Sequence, residues 1–223
     1  WWSYLKSKVL IKNFIISLII FLIPISTLYF VVRKNLISLF QKEILSSGLI
    51  SLENTKVHME KNLNMLNGIS VSMSHNDILS PFNMRTNYYC HQMVVECIRN
   101  YLYTNSMAFD IFYYIRGNND IYTANDYGDV EKLFNEDYYF ENISKEKMHY
   151  LLNEIQDPVM ILVQKMVRYK TDEKSALLYL IPRPINNPTS TIVFAIDNNK
   201  LMSEIQSAFG KYTSNIYIIN SEG

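Results

Sequence analysis

The chain has 223 residues, with 21 basic and 21 acidic side chains and a formal net charge of zero. This length gives room for one or two domains. Five basic residues and no acidic ones precede Asn35, which leaves 16 basic and 21 acidic residues from there on, a net of −5. A segment of that charge repels a phosphate backbone, so we expect this part of the chain to bind no nucleic acid.

An uncharged apolar segment, residues 13–32, lies between Lys12 and Arg33. About 20 apolar residues in a helix span the hydrocarbon layer of a membrane, which is about 30 Å thick. A signal peptide is the competing interpretation, but its apolar stretch is about 7 to 15 residues long and ends in small residues at a cleavage site. The sequence Tyr29-Phe30-Val31-Val32 offers no such site. We therefore predict an uncleaved transmembrane helix at residues 13–34.

Charge alone does not orient this helix, because three lysines precede its uncharged segment and Arg33, Lys34 and Lys42 follow that segment. The long acidic segment after the helix favours an N-terminus in the cytoplasm. Residues 1–12 are then a cytoplasmic tail, and the bulk of the chain is extracytoplasmic at the cell membrane.

After the membrane segment, apolar residues recur at helical spacing from residue 35 to about residue 80, which predicts one long amphipathic helix. Asn76, Asp77 and Pro81 are expected to end it. Its apolar stripe suits either a partner helix in a homodimer or packing on a sheet. The stripe consists of Leu45, Leu49, Leu52, Met59, Leu63, Leu66 and Met73.

A second helix is predicted at residues 86–105, and strand-like segments dominate from there on. Residues 109–116 and 121–124 predict a β-hairpin, and Ser144 is expected to cap a helix at 144–155. Consecutive strands joined by short turns cannot be parallel, so the fold class is α+β with an antiparallel sheet. The other predicted elements are strands at 159–169, 176–182 and 191–196, a helix at 200–209 capped by Asp197 or Asn198, and a strand at 215–220.

The sequence gives little support for catalysis or metal binding. It contains no phosphate-binding glycine-rich loop and no nucleophile elbow, and its four histidines lack the spacing of metal ligands. Cys90 and Cys97 are seven residues apart in a predicted helix, too far for a disulfide. We therefore predict no enzymatic activity, no cofactor and no metal.

The order of elements resembles the Cache family of extracytoplasmic, PAS-like sensory domains. A narrower resemblance, to the ectodomains of membrane-bound AraC-type regulators of Gram-positive bacteria, rests on residues 178–182, 191–197 and 216–223. Sensor histidine kinases carry similar ectodomains.

This resemblance implies a long N-terminal helix packed on a Cache-like sheet in a sensor domain at residues 35–212, and the start of a second unit at 213–223. It further implies a second membrane helix and a cytoplasmic output domain after Gly223, either a DNA-binding unit that controls transcription or a kinase. Partners would be the membrane, an unknown small molecule or binding protein, and a second copy of the chain. A surface interaction protein without a small-molecule ligand, or a tethered extracellular enzyme, is the alternative.

The resemblance also implies a ligand pocket between the inner face of the sheet and the segments that cover it. Glu136 stands where an amino-acid sensor would have an arginine, so amino-acid sensing is not supported. Several of the polar candidates have a structural alternative, such as a helix cap for Asp197. The candidate ligand-binding residues are Tyr114, Arg116, Tyr122, Tyr138, Tyr139, Arg168, Tyr179 and Asp197.

Overall fold

The structure is a computed structural model that describes residues 2–86, 90–168 and 172–208. It divides into two units, Trp1–Glu53 and Asn54–Gly223. Helix α1 (Trp2–Ser74) begins in the first unit and ends in the second. The fold class is α+β, as predicted, with a long N-terminal helix and a seven-stranded antiparallel sheet.

Residues 11–46 of α1 are exposed along their whole length. This stretch contains large apolar side chains such as Phe14 and Phe21, which are 69% and 70% exposed. Such a continuous apolar surface is unfavourable in water, since each buried Å² of apolar area is worth about 25 cal/mol. The predicted membrane segment, residues 13–34, lies within this part of α1, which is long and apolar enough to cross a membrane.

In its described residues, the second unit contains the end of α1, five further α-helices and the sheet. A 3-10 turn at Asp77–Leu79 follows α1, because the Asn76 side chain accepts a hydrogen bond from the Ile78 backbone. The predicted second helix corresponds to α3, and Ser144 caps α5 as predicted. The helices are α2 (Pro81–Thr86), α3 (Cys90–Tyr103), α4 (Val130–Lys132), α5 (Lys145–Asn153) and α6 (Asn198–Ala208).

Seven strands form one sheet in the order β3-β2-β1-β7-β6-β5-β4, with every neighbouring pair antiparallel. The predicted hairpin is β1 with β2, and the three later strands are β5, β6 and β7. The strands are β1 (Ala108–Ile115), β2 (Asp120–Thr123), β3 (Tyr127–Asp129), β4 (Tyr138–Phe140), β5 (Val159–Arg168), β6 (Asp172–Arg183) and β7 (Ser190–Asp197).

The sheet buries apolar side chains on both faces. On the first face, here the α1 face, Tyr113 and Phe194 pack with Leu66 of α1, Ile98 of α3 and residues of α6. On the opposite, α5 face, a second cluster contains residues of β1, β5, β6 and β7 together with α5 and the residues before β4. The strands in the middle of the sheet are therefore enclosed on both sides, which explains their nearly continuous apolar sequences.

The apolar stripe of α1 is divided. Leu66 and Met73 are fully buried against the sheet, and Met59 packs at the edge of the same cluster. Leu45, Leu49 and Leu52 are exposed. Of the two interpretations of the stripe, packing on the sheet therefore accounts for its second half.

Two details differ from the prediction. Helix α1 ends at Ser74, before the predicted end near residue 80. The polar connection before α5 contains two short strands, β3 and β4, with α4 and a π-helical turn, Leu133–Asp137, between them. The predicted strand at 215–220 lies outside the described residues.

Replacing a buried α1 residue tests this packing. We expect Leu66→Ala to lower the free energy of unfolding by about 3 kcal/mol, because it leaves a cavity between α1 and the sheet. Val57→Ala, at a position of the same helix that is 55% exposed, should cost less than about 0.5 kcal/mol. Denaturation of the full chain in mild detergent, followed by circular dichroism, measures both. Equal costs would contradict the packing of α1 on the sheet.

Candidate ligand-binding site

The structure places the eight predicted site residues in several different environments. Four of them lie on the α5 face. Tyr122 and Tyr179 lie on the α1 face and pack with its cluster. Tyr139 is 59% exposed, and Asp197 caps α6 by accepting hydrogen bonds from the backbone of Asn199 and Lys200. The four residues on the α5 face are Tyr114, Arg116, Tyr138 and Arg168.

Two of these four hold the C-terminal end of α5 against the sheet. Arg116 donates from Nη2 to the carbonyl of Ile155 at 2.6 Å and from Nε to the Thr191 hydroxyl at 3.0 Å. The Tyr114 hydroxyl donates to Oδ1 of Asn153 at 3.0 Å. Thr191 in turn donates to the carbonyl of Leu152 at 2.6 Å. These bonds satisfy carbonyl groups at the end of a helix, which otherwise lack partners.

The other two belong to a buried polar network centred on Asp110, which is not among the predicted site residues. The Tyr138 hydroxyl donates to Oδ2 of Asp110 at 2.8 Å, and Arg168 approaches the same oxygen at 3.4 Å. Arg168 also pairs with Asp172 at 2.7 Å. Asp110 is fully buried and its Oδ1 accepts the backbone N–H of Ile111.

Burial raises the pKa of Asp110, whereas the Tyr138 hydroxyl and the charge of Arg168 act in the opposite direction. The negative charge of Asp110 therefore depends on these two partners. A signal for this residue was present in the sequence, because Asp110 interrupts the apolar run Ala108-Phe109-Asp110-Ile111-Phe112. A charged residue inside a strand of that kind requires a buried partner.

A cleft of about 640 Å³ lies beside this network. Its walls are the connecting segment (residues 130–137), β4 and the N-terminal half of α5. Ligand pockets in proteins have volumes of about 300 to 1,000 Å³, so the cleft has room for a small molecule. The lining residues are Val130, Glu131, Phe134, Tyr139, Phe140, Ile143, Ser144, Lys145, Glu146, Met148 and His149.

Aromatic side chains form the floor of the cleft. Phe134 and Phe140 meet edge to face, with ring centroids 5.3 Å apart, and Phe112 contacts both from the sheet. Tyr138 meets Phe112 at 4.9 Å, which connects the cleft to the Asp110 network. Edge-to-face pairs of this kind fix ring positions. The aromatic rings that line the cleft therefore pack directly on the buried side chains of the α5 face.

Charged groups lie at the N-terminus of α5. Glu146 is exposed, and hydrogen bonds from its own backbone N–H and from the Ser144 hydroxyl lower its pKa. The Ser144 hydroxyl also accepts the backbone N–H of Lys147. First-turn donors of α5 are therefore engaged by side chains of the same helix, and Glu146 is ionised at neutral pH.

A second cleft of about 470 Å³ lies between residues 54–62 of α1, Ser106, Met107 and α6. Amide and hydroxyl side chains, together with Glu204, make up much of its lining, and the lining that the structure describes contains no Phe, Tyr or Trp. Ligand pockets are mostly apolar and aromatic with a few polar groups. The larger cleft fits this description better and is our candidate site.

Metal binding finds no support within residues 2–86, 90–168 and 172–208, where no group of three or more His, Cys, Asp or Glu side chains is arranged to hold an ion. Cys90 and Cys97 are free, half-buried thiols.

No protein-family model and no curated protein matches the chain. The geometry of the clefts and of the buried network is therefore the basis for assigning a site.

Asp110 and Asp172 contact the same arginine, but we predict that they contribute very differently to the free energy of unfolding. Asp110→Ala should lower the free energy of unfolding by about 3 kcal/mol, because it removes the buried partner of Tyr138 and Arg168. Asp172→Ala removes a partly exposed partner and should cost less than about 1 kcal/mol. Thermal and chemical unfolding of the full chain in detergent compares the two variants. A larger effect at Asp172 would contradict the central role of Asp110.

Proposed function

We propose that this chain is the membrane-anchored sensory region of a receptor, with a small-molecule site in the aromatic cleft of its extracytoplasmic domain. The observation that carries the proposal is the cleft itself, an apolar cavity with a few charged groups at its edge. The Cache-like order of a long helix, a hairpin and three consecutive strands supports a sensory role. The β5–β7 meander ends at Asp197, as in the pattern that suggested the family.

The exposed apolar part of α1 supports the proposal that the chain is anchored in a membrane. Residues 13–32 carry no charge, and the most apolar window of the helix is not buried. A helix of this kind is stable when lipid, not water, surrounds it. With the N-terminus in the cytoplasm, the acidic second unit lies outside the cell, where ligands arrive.

Signalling requires that a ligand bind two states of the receptor with different affinities. The connecting segment is a suitable element for such a difference, because it lies between β3 and β4 and lines the cleft without being part of the central strands. The output, in this proposal, is transcription control by an AraC-type DNA-binding domain or phosphorylation by a histidine kinase.

Anchoring is tested by placing charge in the apolar segment. The double variant Ile19→Arg and Phe21→Arg should lose stable membrane insertion, since each arginine at the centre of a span costs about 2.5 to 3.5 kcal/mol. Both side chains are exposed in the fold, so no protein contact is lost. The matched control, Leu39→Arg with Phe40→Arg, changes two exposed apolar residues beyond Arg33. Alkaline carbonate extraction of membranes should release only the first variant, and a soluble wild-type chain would contradict anchoring.

Ligand binding is tested by a thermal-shift panel of sugars, organic acids, amino acids, amines and peptides on the full chain in detergent. A ligand at 100 times its Kd should stabilise the protein by about 2.7 kcal/mol. Tyr139→Ala, in the wall of the cleft, should abolish the shift. Tyr150→Ala is the control, because both tyrosines are 59% exposed and Tyr150 is not among the lining residues. No shift across the panel would favour a surface interaction protein without a small-molecule ligand.

A further inference from the structure

The charges around the aromatic cleft indicate whether its ligand is an anion or a cation. Glu131 and Glu146 contribute two carboxylates to the lining, and Lys145 contributes one ammonium group. These three formal charges sum to −1. An anionic ligand would meet net repulsion at this edge, and a cationic one would meet attraction.

The N-terminus of α5 does not reverse this preference. A helix N-terminus ordinarily attracts anions through its free backbone N–H groups. Here the Ser144 hydroxyl accepts the N–H of Lys147, and the Glu146 carboxylate accepts its own backbone N–H. The protein thus supplies its own anion to the end of the helix, which leaves less positive potential for a ligand.

The floor and wall of the cleft also favour a cation with an apolar body. Phe134, Phe140 and Tyr139 present aromatic groups, and the buried side chains of Val130 and Met148 complete an apolar surface. Aromatic faces attract ammonium groups that lie within about 6 Å of the ring centroid. Aromatic rings and carboxylates in one cleft are complementary to the two parts of an alkyl- or arylammonium ion.

We infer that the cleft binds an organic cation, an ammonium group attached to an apolar alkyl or aryl body. The ammonium group lies toward Glu131 and Glu146, and the apolar body packs on Phe134 and Phe140. This inference rests on the proposed function, since it names the ligand class of the same cleft. It also agrees with the lack of support for amino-acid sensing, because the cleft offers no arginine to a ligand carboxylate among its described lining residues.

Three probes of similar size distinguish the contribution of charge to binding from the contribution of apolar contact. They are benzyltrimethylammonium, benzyl alcohol and phenylacetate. Each is titrated into the full chain in a neutral detergent, and binding is measured by calorimetry and by thermal shift. We expect binding to be tightest for benzyltrimethylammonium, weaker for benzyl alcohol and weakest for phenylacetate. Raising the salt from about 0.05 M to about 0.5 M should weaken the binding of the cation and leave benzyl alcohol nearly unchanged.

Glu131→Gln should weaken binding of benzyltrimethylammonium by about threefold to fivefold, the effect of one partly exposed ion pair. Glu204→Gln is the control, because it makes the same change in the other cleft and should have no effect. Tyr139→Ala should weaken the binding of the cation and the binding of benzyl alcohol to a similar extent.

Two results would overturn the ligand class: phenylacetate or benzyl alcohol binding as tightly as the cation, or cation binding that is absent or insensitive to Glu131→Gln. Neither result bears on anchoring. If another member of the ligand panel still stabilises the chain through Tyr139, the sensory proposal survives and only the ligand class is wrong. If no member of the panel stabilises the chain either, the proposal of a small-molecule ligand is also wrong.

Discussion

The arrangement of the second unit depends on the burial of both faces of strands β1 and β7. These strands pair in the middle of the sheet, and nearly all of their residues are buried. A sheet enclosed on both sides needs helices on both sides, and the chain provides α1, α3 and α6 on one face and α5 on the other. The candidate cleft exists because α5 and the connecting segment cover their face incompletely.

Helix α5 is held differently at its two ends. Arg116, Thr191 and Tyr114 bind the carbonyls and side chains at its C-terminal end. Its N-terminal end is capped by Ser144 and forms one side of the cleft. The C-terminal end stabilises the fold, and in the proposed function the N-terminal end contacts the ligand.

Much of the fold was predictable from local patterns. The β1–β2 hairpin, the Ser144 cap, the β5–β7 meander and the Asp197 cap each follow from a few neighbouring residues. Strands β3 and β4 were not predictable, because each has only three residues and β4 pairs with β5, which comes after α5 in the chain. Strands of three residues are too short to show a period that distinguishes them from a loop.

The candidate site was less predictable than the fold. Tyr113 and Tyr114 are adjacent in sequence but lie on opposite faces, where Tyr113 donates to the carbonyl of Leu79 and Tyr114 to Asn153. In a strand buried on both sides, the alternation of polar and apolar residues that assigns each face is absent. Tyr139 was selected from sequence and lines the cleft, whereas Phe134 and Phe140 resemble ordinary core residues until the structure places them at its floor.

The central pairing also determines when the domain can form during synthesis. Arg116 and Thr191 are 75 residues apart and meet across β1 and β7. The sheet is therefore incomplete until nearly the whole unit has left the ribosome, and contacts of such long range form slowly. The apolar part of α1 precedes the sheet in the chain, so it leaves the ribosome while the segment that forms the sheet is still unfolded.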